Sequence, residues 1–181
     1  MLVGVEERTI RADYDDRHIT VYQAYNAAIA DAALRAGTLV PPFRAGRMTW
    51  IKPSFLWMMY RCGWGRKPDQ ERVLAVRMTR EGFDAAVRAA VPSSVVGGKP
   101  EVRVQWDPER DLHLRPLAHR AIQVGLAGSM SARYTGEWIT GVTDVTPLAH
   151  EVHGLVRSGD LVGATALLPV ERPYSAGGPY D

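Results

Sequence analysis

The sequence predicts a single α+β domain. Three features carry that prediction: alternating apolar stretches of strand length, short capped helical patterns between them, and no strict strand–helix alternation of the doubly wound kind. A chain of 181 residues buries roughly 70% of its unfolded surface, enough to fold round its own core without a metal or disulfide. The sheet is expected to be mixed or split and flanked by helices, with residues 1–170 forming the domain.

Ile10, Ala12 and Tyr14 alternate with polar residues, and so do Ile19, Val21 and Gln23, with Asp15-Asp16-Arg17 as a turn between two strands. Asn26 caps a helix over residues 27–36, with Ile29, Ala33 and Leu34 inward and Gly37 as its stop. Pro41-Pro42 closes that unit. Residues 47–51 read as a short strand, and Ser54 as the N-cap of a helix over 55–62. Gly63 and Gly65 leave Trp64 free to act as a lid. A strand over 73–78 leads to a helix capped by Thr79, and residues 92–100 have the composition of a linker. Val102, Val104 and Trp106 form a strand that Asp107-Pro108 ends, followed by strands over 121–126 and 137–145. Thr146 caps a helix to Val156, a short helix follows over 161–168, and residues 171–181, rich in Gly and Pro, are expected to be disordered.

Composition narrows the function classes. The net charge of +2, with Lys52, Lys67 and Lys99 as the only lysines, lacks the dense basic stripe of a duplex-DNA binder. One cysteine, Cys62 in an apolar stretch, excludes an internal disulfide and any Cys-based zinc site, and reads as a buried thiol. Residues 1–10 lack the apolar core of a signal peptide, and no apolar run approaches the roughly 20 residues needed to cross a bilayer; a cytoplasmic location is expected. There is no phosphate-binding P-loop, no dinucleotide fingerprint and no nucleophile elbow. His150 and His153 share a helical face but lack a third ligand in the sequence, so no metal is expected.

Residues 47–65, RMTWIKPSFLWMMYRCGWG, hold three of the five tryptophans. Trp57, Met58 and Met59 suit a core. Trp50, Lys52 and Ser54 fall at alternate positions of an extended segment, so an aromatic ring, a cation and a hydroxyl share one face. Such a face suits a nucleotide base or a sugar phosphate.

The blocks VYQAYN (21–26), MTWIKPSFLWMMYRCGWG (48–65), QERVLA (70–75), QWDPER (105–110) and RAIQVGL (120–126) resemble a bacterial and fungal family of domains of unknown function. A second resemblance is to the ADP-ribosyltransferase fold, whose split sheet grips NAD. Val21-Tyr22-Gln23-Ala24-Tyr25, a helix and Gly37 look similar to its opening motif, with Gln23 at the histidine position. Trp50, Ser54 and Tyr60 follow the order of its second motif. Gln123 is the nearest match to its late-strand catalytic glutamate, and Glu137 in TGEWI is the alternative. A glutamine binds a hydroxyl but supplies no full negative charge.

That resemblance implies NAD as a substrate and a nucleotide-dependent transferase acting on an unknown acceptor, a nucleic acid among the candidates. Gln23, with Tyr22 beside it, holds the ribose, and Trp50 or Tyr60 packs the nicotinamide. Lys52, with Arg47 or Arg61, neutralises the pyrophosphate, and Gln123 or Glu137 faces the anomeric carbon. The alternative reading is a non-catalytic module for RNA, single-stranded DNA or a nucleotide, in which aromatics stack bases while Arg61, Arg66, Lys67 and Arg72 track phosphates. Oligomeric state is not legible in the sequence.

Overall fold

Asp15 makes the first turn. In the computed structural model, which describes residues 7–180, its Oδ1 accepts the backbone N–H groups of Arg17 and His18, each at 2.8 Å. Tyr14 and Ile19 face each other across this turn as a single antiparallel bridge. The strand before it, β1 (Arg11–Ala12), pairs instead with β9 (Arg172–Pro173), while β2 (His18–Tyr25) runs on into the interior. Asn26 then caps α1 (Ala27–Ala36) by accepting the Ile29 N–H at 3.0 Å, and Gly37 ends it at φ 72°, a conformation that glycine adopts without the Cβ penalty.

The sheet is split. One half orders β2 beside β4 (Arg72–Thr79) and β8 (Ile139–Asp144), all antiparallel. The other orders β3 (Thr49–Ile51), β7 (Pro116–Leu126), β6 (Val102–Arg110) and β5 (Val91–Pro92), the last pair parallel. Pro92, the first residue of the stretch read as a linker, is the second residue of β5, so that stretch begins at a sheet edge within the domain. Around Ile19, Val21, Val76, Val104 and Val124 lies the larger core, to which α3 (Arg80–Ala89) adds Phe83 and Val87. A second core packs α2 (Phe55–Cys62), α5 (Thr146–Ser158) and α6 (Leu161–Leu167) around Tyr22 and Val73. Among the described residues no helix is long and apolar enough to cross a membrane.

Four expectations need correction. Asp107-Pro108 does not end β6; the strand continues to Arg110 with an irregular register beyond Pro108. β5 stops short of this end, so Pro108 lies on an edge, where its missing N–H costs no ladder bond. Residues 137–145 are not one strand: Tyr134–Trp138 form a π-helical turn continuing α4 (Gly128–Arg133), and β8 starts at Ile139. Thr146 begins α5 rather than capping it, because its hydroxyl accepts the Val73 N–H of β4 at 2.8 Å. Residues 171–180, expected to be disordered, pack onto the domain: β9 pairs with β1, and Tyr174 is 4% exposed against Phe83.

Candidate functional site: a two-lobed cleft at the split

β2 meets the residue just after β3 at one bridge, Tyr22 to Lys52, where the Tyr22 N–H donates to the Lys52 carbonyl at 2.8 Å. Beyond it the two halves of the sheet no longer pair as strands, and side chains link them. Gln23 Nε2 donates to Thr49 Oγ1 at 2.7 Å and to the Tyr25 hydroxyl at 2.9 Å, with the Trp50 carbonyl at 3.3 Å. Its Oε1 accepts from the Tyr134 hydroxyl at 2.8 Å. A buried amide with both ends satisfied is a rigid tie, and Gln23 is 3% exposed.

A cleft opens along this seam. One lobe, about 300 Å³, is lined by Gln23, Trp50, Lys52, Arg61 and Gln70 among others. The other, about 250 Å³, is bordered by Phe43, Arg44 and Arg47, and the two share Tyr25, Met48 and Thr49. Together they have the size of a small-molecule site. Arg44, Arg47 and Arg61 are exposed at the rims, so the cleft favours an anion. Trp50 stands opposite Gly125 of β7; a Cβ there would come within 3.0 Å of the indole, so glycine lets the ring lie flat on the sheet. Lys52 is 8% exposed, and its Nζ donates to the Trp50 carbonyl at 2.8 Å. Burial, reinforced by Arg61, pulls its amine down to about 7.

A family model for a domain of unknown function, DUF4291, matches residues 9–174. The chain belongs to the DUF4291 family. No curated protein and no solved structure is detectably similar to it. The match runs from just before β1 to just beyond β9, so the whole split sheet and the cleft at its seam lie inside the DUF4291 domain.

The other sequence-predicted residues are dispersed. Tyr22 is 2% exposed and packs edge-on against Phe55 in the second core, where burial raises its phenol well above the ordinary value. Ser54 is a helix cap: its Oγ accepts the Trp57 N–H at 3.1 Å and donates to Glu109 Oε1 at 2.8 Å. Tyr60 is 41% exposed, but the Arg110 guanidinium covers one ring face at 3.6 Å. Gln123 donates to Asp107 Oδ2 at 2.7 Å, and Gln105 holds Oδ1 at 2.8 Å. Glu137 lies at the end of the π-helical turn, exposed and paired with Arg133 at 3.2 Å. Neither Gln123 nor Glu137 lines the two lobes. Trp64 is no lid: it is 5% exposed and stacks flat on His153 at 5.1 Å. His153 is thereby committed to packing; among the described residues no three metal-binding side chains cluster.

Sequence reasoning in this DUF4291 protein missed Thr49, Tyr25, Tyr134 and Asp107. Tyr25 was within reach, since it alternates with Gln23 along one strand face. Tyr134 had no signal, because it meets Gln23 across 111 positions of chain. Asp107-Pro108 reads in the sequence as a strand end, and only the continuation of β6 places Asp107 beside Gln123.

Proposed function

We propose that the cleft binds NAD or a related nucleotide and that the protein is an ADP-ribosyltransferase-like transferase. The observation that carries this reading is the seam itself. A split sheet joined by one bridge leaves a two-lobed, arginine-rimmed cleft that holds Gln23, Trp50, Lys52 and Arg61 together. Two lobes with a common wall suit a dinucleotide, and the guanidinium groups of Arg47 and Arg61 suit its pyrophosphate. Trp50 offers a flat face for the nicotinamide. Gln23, saturated by protein partners, acts as the seam's tie and presents no free amide to a ribose. The negative charge that Gln123 lacks stands one strand away on Asp107, held at both oxygens by Gln105 and Gln123. Asp107 lines neither lobe, and its charge reaches the cleft at Lys52.

The single-strand binding reading has less support, because Arg110 already occupies a face of Tyr60, the most exposed aromatic of the block. Titration with NAD followed by ligand-detected NMR, with ATP and a short RNA in parallel, separates the two. Selective NAD binding is expected, weakened at least tenfold, about 1.4 kcal/mol, in Trp50→Ala. No binding of NAD, or affinity unchanged in Trp50→Ala, removes this reading. RNA binding that falls steeply with salt instead marks a nucleic-acid module.

A further inference from the structure

We propose that Lys52 is the reactive amine of the cleft, a nucleophile that condenses with an anionic aldehyde or ketone anchored by Arg61. The inference rests on reading the lobe as an anion site, and it assigns chemistry to a side chain that the resemblance treats only as a charge.

The geometry separates Lys52 from the other two lysines. Its side chain lines the lobe yet is 8% exposed, and its Nζ has one hydrogen-bond partner, the Trp50 carbonyl at 2.8 Å. No carboxylate lies within ion-pairing distance of it among the described residues. The Trp57 ring lies 5.8 Å away. The charged and titratable groups facing it are Arg61 and Cys62 from α2 and Asp107 from β6. The first opposes its charge, and neither Cys62 nor Asp107 pairs with it. Lys67, by contrast, lies exposed with its Nζ on the Tyr60 and Arg61 carbonyls, and Lys99 is exposed in a loop.

A lysine deprived of water and of a counter-ion gives up its proton readily, the usual origin of imine-forming lysines. An ordinary lysine at pH 7 has a free lone pair in roughly one molecule in 2,500. Lys52, brought down to about 7, has it in about half. Losing that proton does not break the Trp50 contact, since a neutral amine keeps two N–H donors. In the step itself, the Nζ lone pair attacks the carbonyl carbon while the carbonyl oxygen takes up a proton. The resulting carbinolamine loses a nitrogen proton and water, leaving a C=N bond. No oxidant or reductant is consumed. Arg61, in the same lobe, holds the anionic group of the ligand.

The test uses the intact chain, pyridoxal 5′-phosphate as the anionic aldehyde and borohydride to trap the imine, with peptide mapping over the three lysines. At pH 7 the label is expected on Lys52 at least tenfold over Lys67 and Lys99, rising with pH through a midpoint near 7. Equal or greater labelling of Lys67 or Lys99 overturns the proposal, as does labelling of Lys52 only above about pH 9. Lys52→Arg is expected to abolish selective capture. If that variant fails to fold, the wild-type map alone decides. Repeating the reaction with saturating NAD separates the two readings: protection of Lys52 places the nucleotide and the amine in one lobe. Selective labelling that NAD leaves unchanged supports the amine and overturns the nucleotide reading of this lobe.

Discussion

Glu171 carries a carboxylate on which the fold makes an unusual demand. Its Oε1 accepts the Phe55 N–H at 2.7 Å, satisfying one orphan donor at the start of α2. Burial, with Glu109 nearby, raises its pKa to about 8. The folded state therefore keeps a proton that the unfolded chain releases near its ordinary value of 4.5. Stability is expected to be full below that value and to fall as pH rises toward 8, because in this window the native state binds more protons than the unfolded one. Glu171→Gln retains the acceptor and removes the ionisation. The variant is expected to be more stable than wild type above pH 8, by several kcal/mol for a shift of this size, and to match it near pH 4. Thermal unfolding across pH checks this; parallel curves for the two proteins sink it.

Helices were the elements most legible in the sequence, because caps are local chemistry. Asn26, Ser54 and Thr79 each accept an N–H three residues on, as their side chains predict. Strand ends were less legible. Val102, Val104 and Trp106 announced β6 by alternation, but whether Pro108 breaks it depends on what lies alongside, which is a tertiary fact. The π-helical turn left no local mark, so Glu137 was placed on a strand it does not join. In the cleft, Trp50, Lys52 and Arg61 were legible as one block of sequence, whereas the contact of Asp107 with Gln123, outside the two lobes, came through strand pairing alone. The β3–β7 contact makes its own prediction. A Cβ at Gly125 would stand 2.7 Å from Met48 Sδ as well as 3.0 Å from the indole. Gly125→Ala is thus expected to cost about 1–3 kcal/mol and to displace Trp50. Trp50 fluorescence and ligand affinity should both change, and a variant unaltered in both denies this packing.

For the molecule as a whole, the tail decides how the domain closes. Tyr174 N–H donates to the Ile10 carbonyl at 2.8 Å, and its ring meets Tyr14 and Phe83 edge-on while its hydroxyl donates to Asp84. Composition hid this, because four of the eleven residues 171–181 are Gly or Pro, yet Tyr174 and Ala176 are buried and the Tyr180 hydroxyl donates to the Ala90 carbonyl. Deleting residues 169–181 removes the β9 pairing, the Glu171 cap and the buried Tyr174, of which the ring alone is worth about 2 kcal/mol. The melting temperature is expected to drop by about 10 °C or more in circular dichroism. A truncated chain that melts with the full one makes the tail dispensable.

The pairing of β9 with β1 also sets an order of events. Arg11 and Ala12 are made early and their partners Pro173 and Arg172 some 160 residues later, so during synthesis the first strand waits with an open edge. Local units such as α1 and the β2–β4 pair assemble first, whereas the β1–β9 closure waits for residues 172–173, and Ile10 and Phe83 of the larger core lack the Tyr174 ring until then.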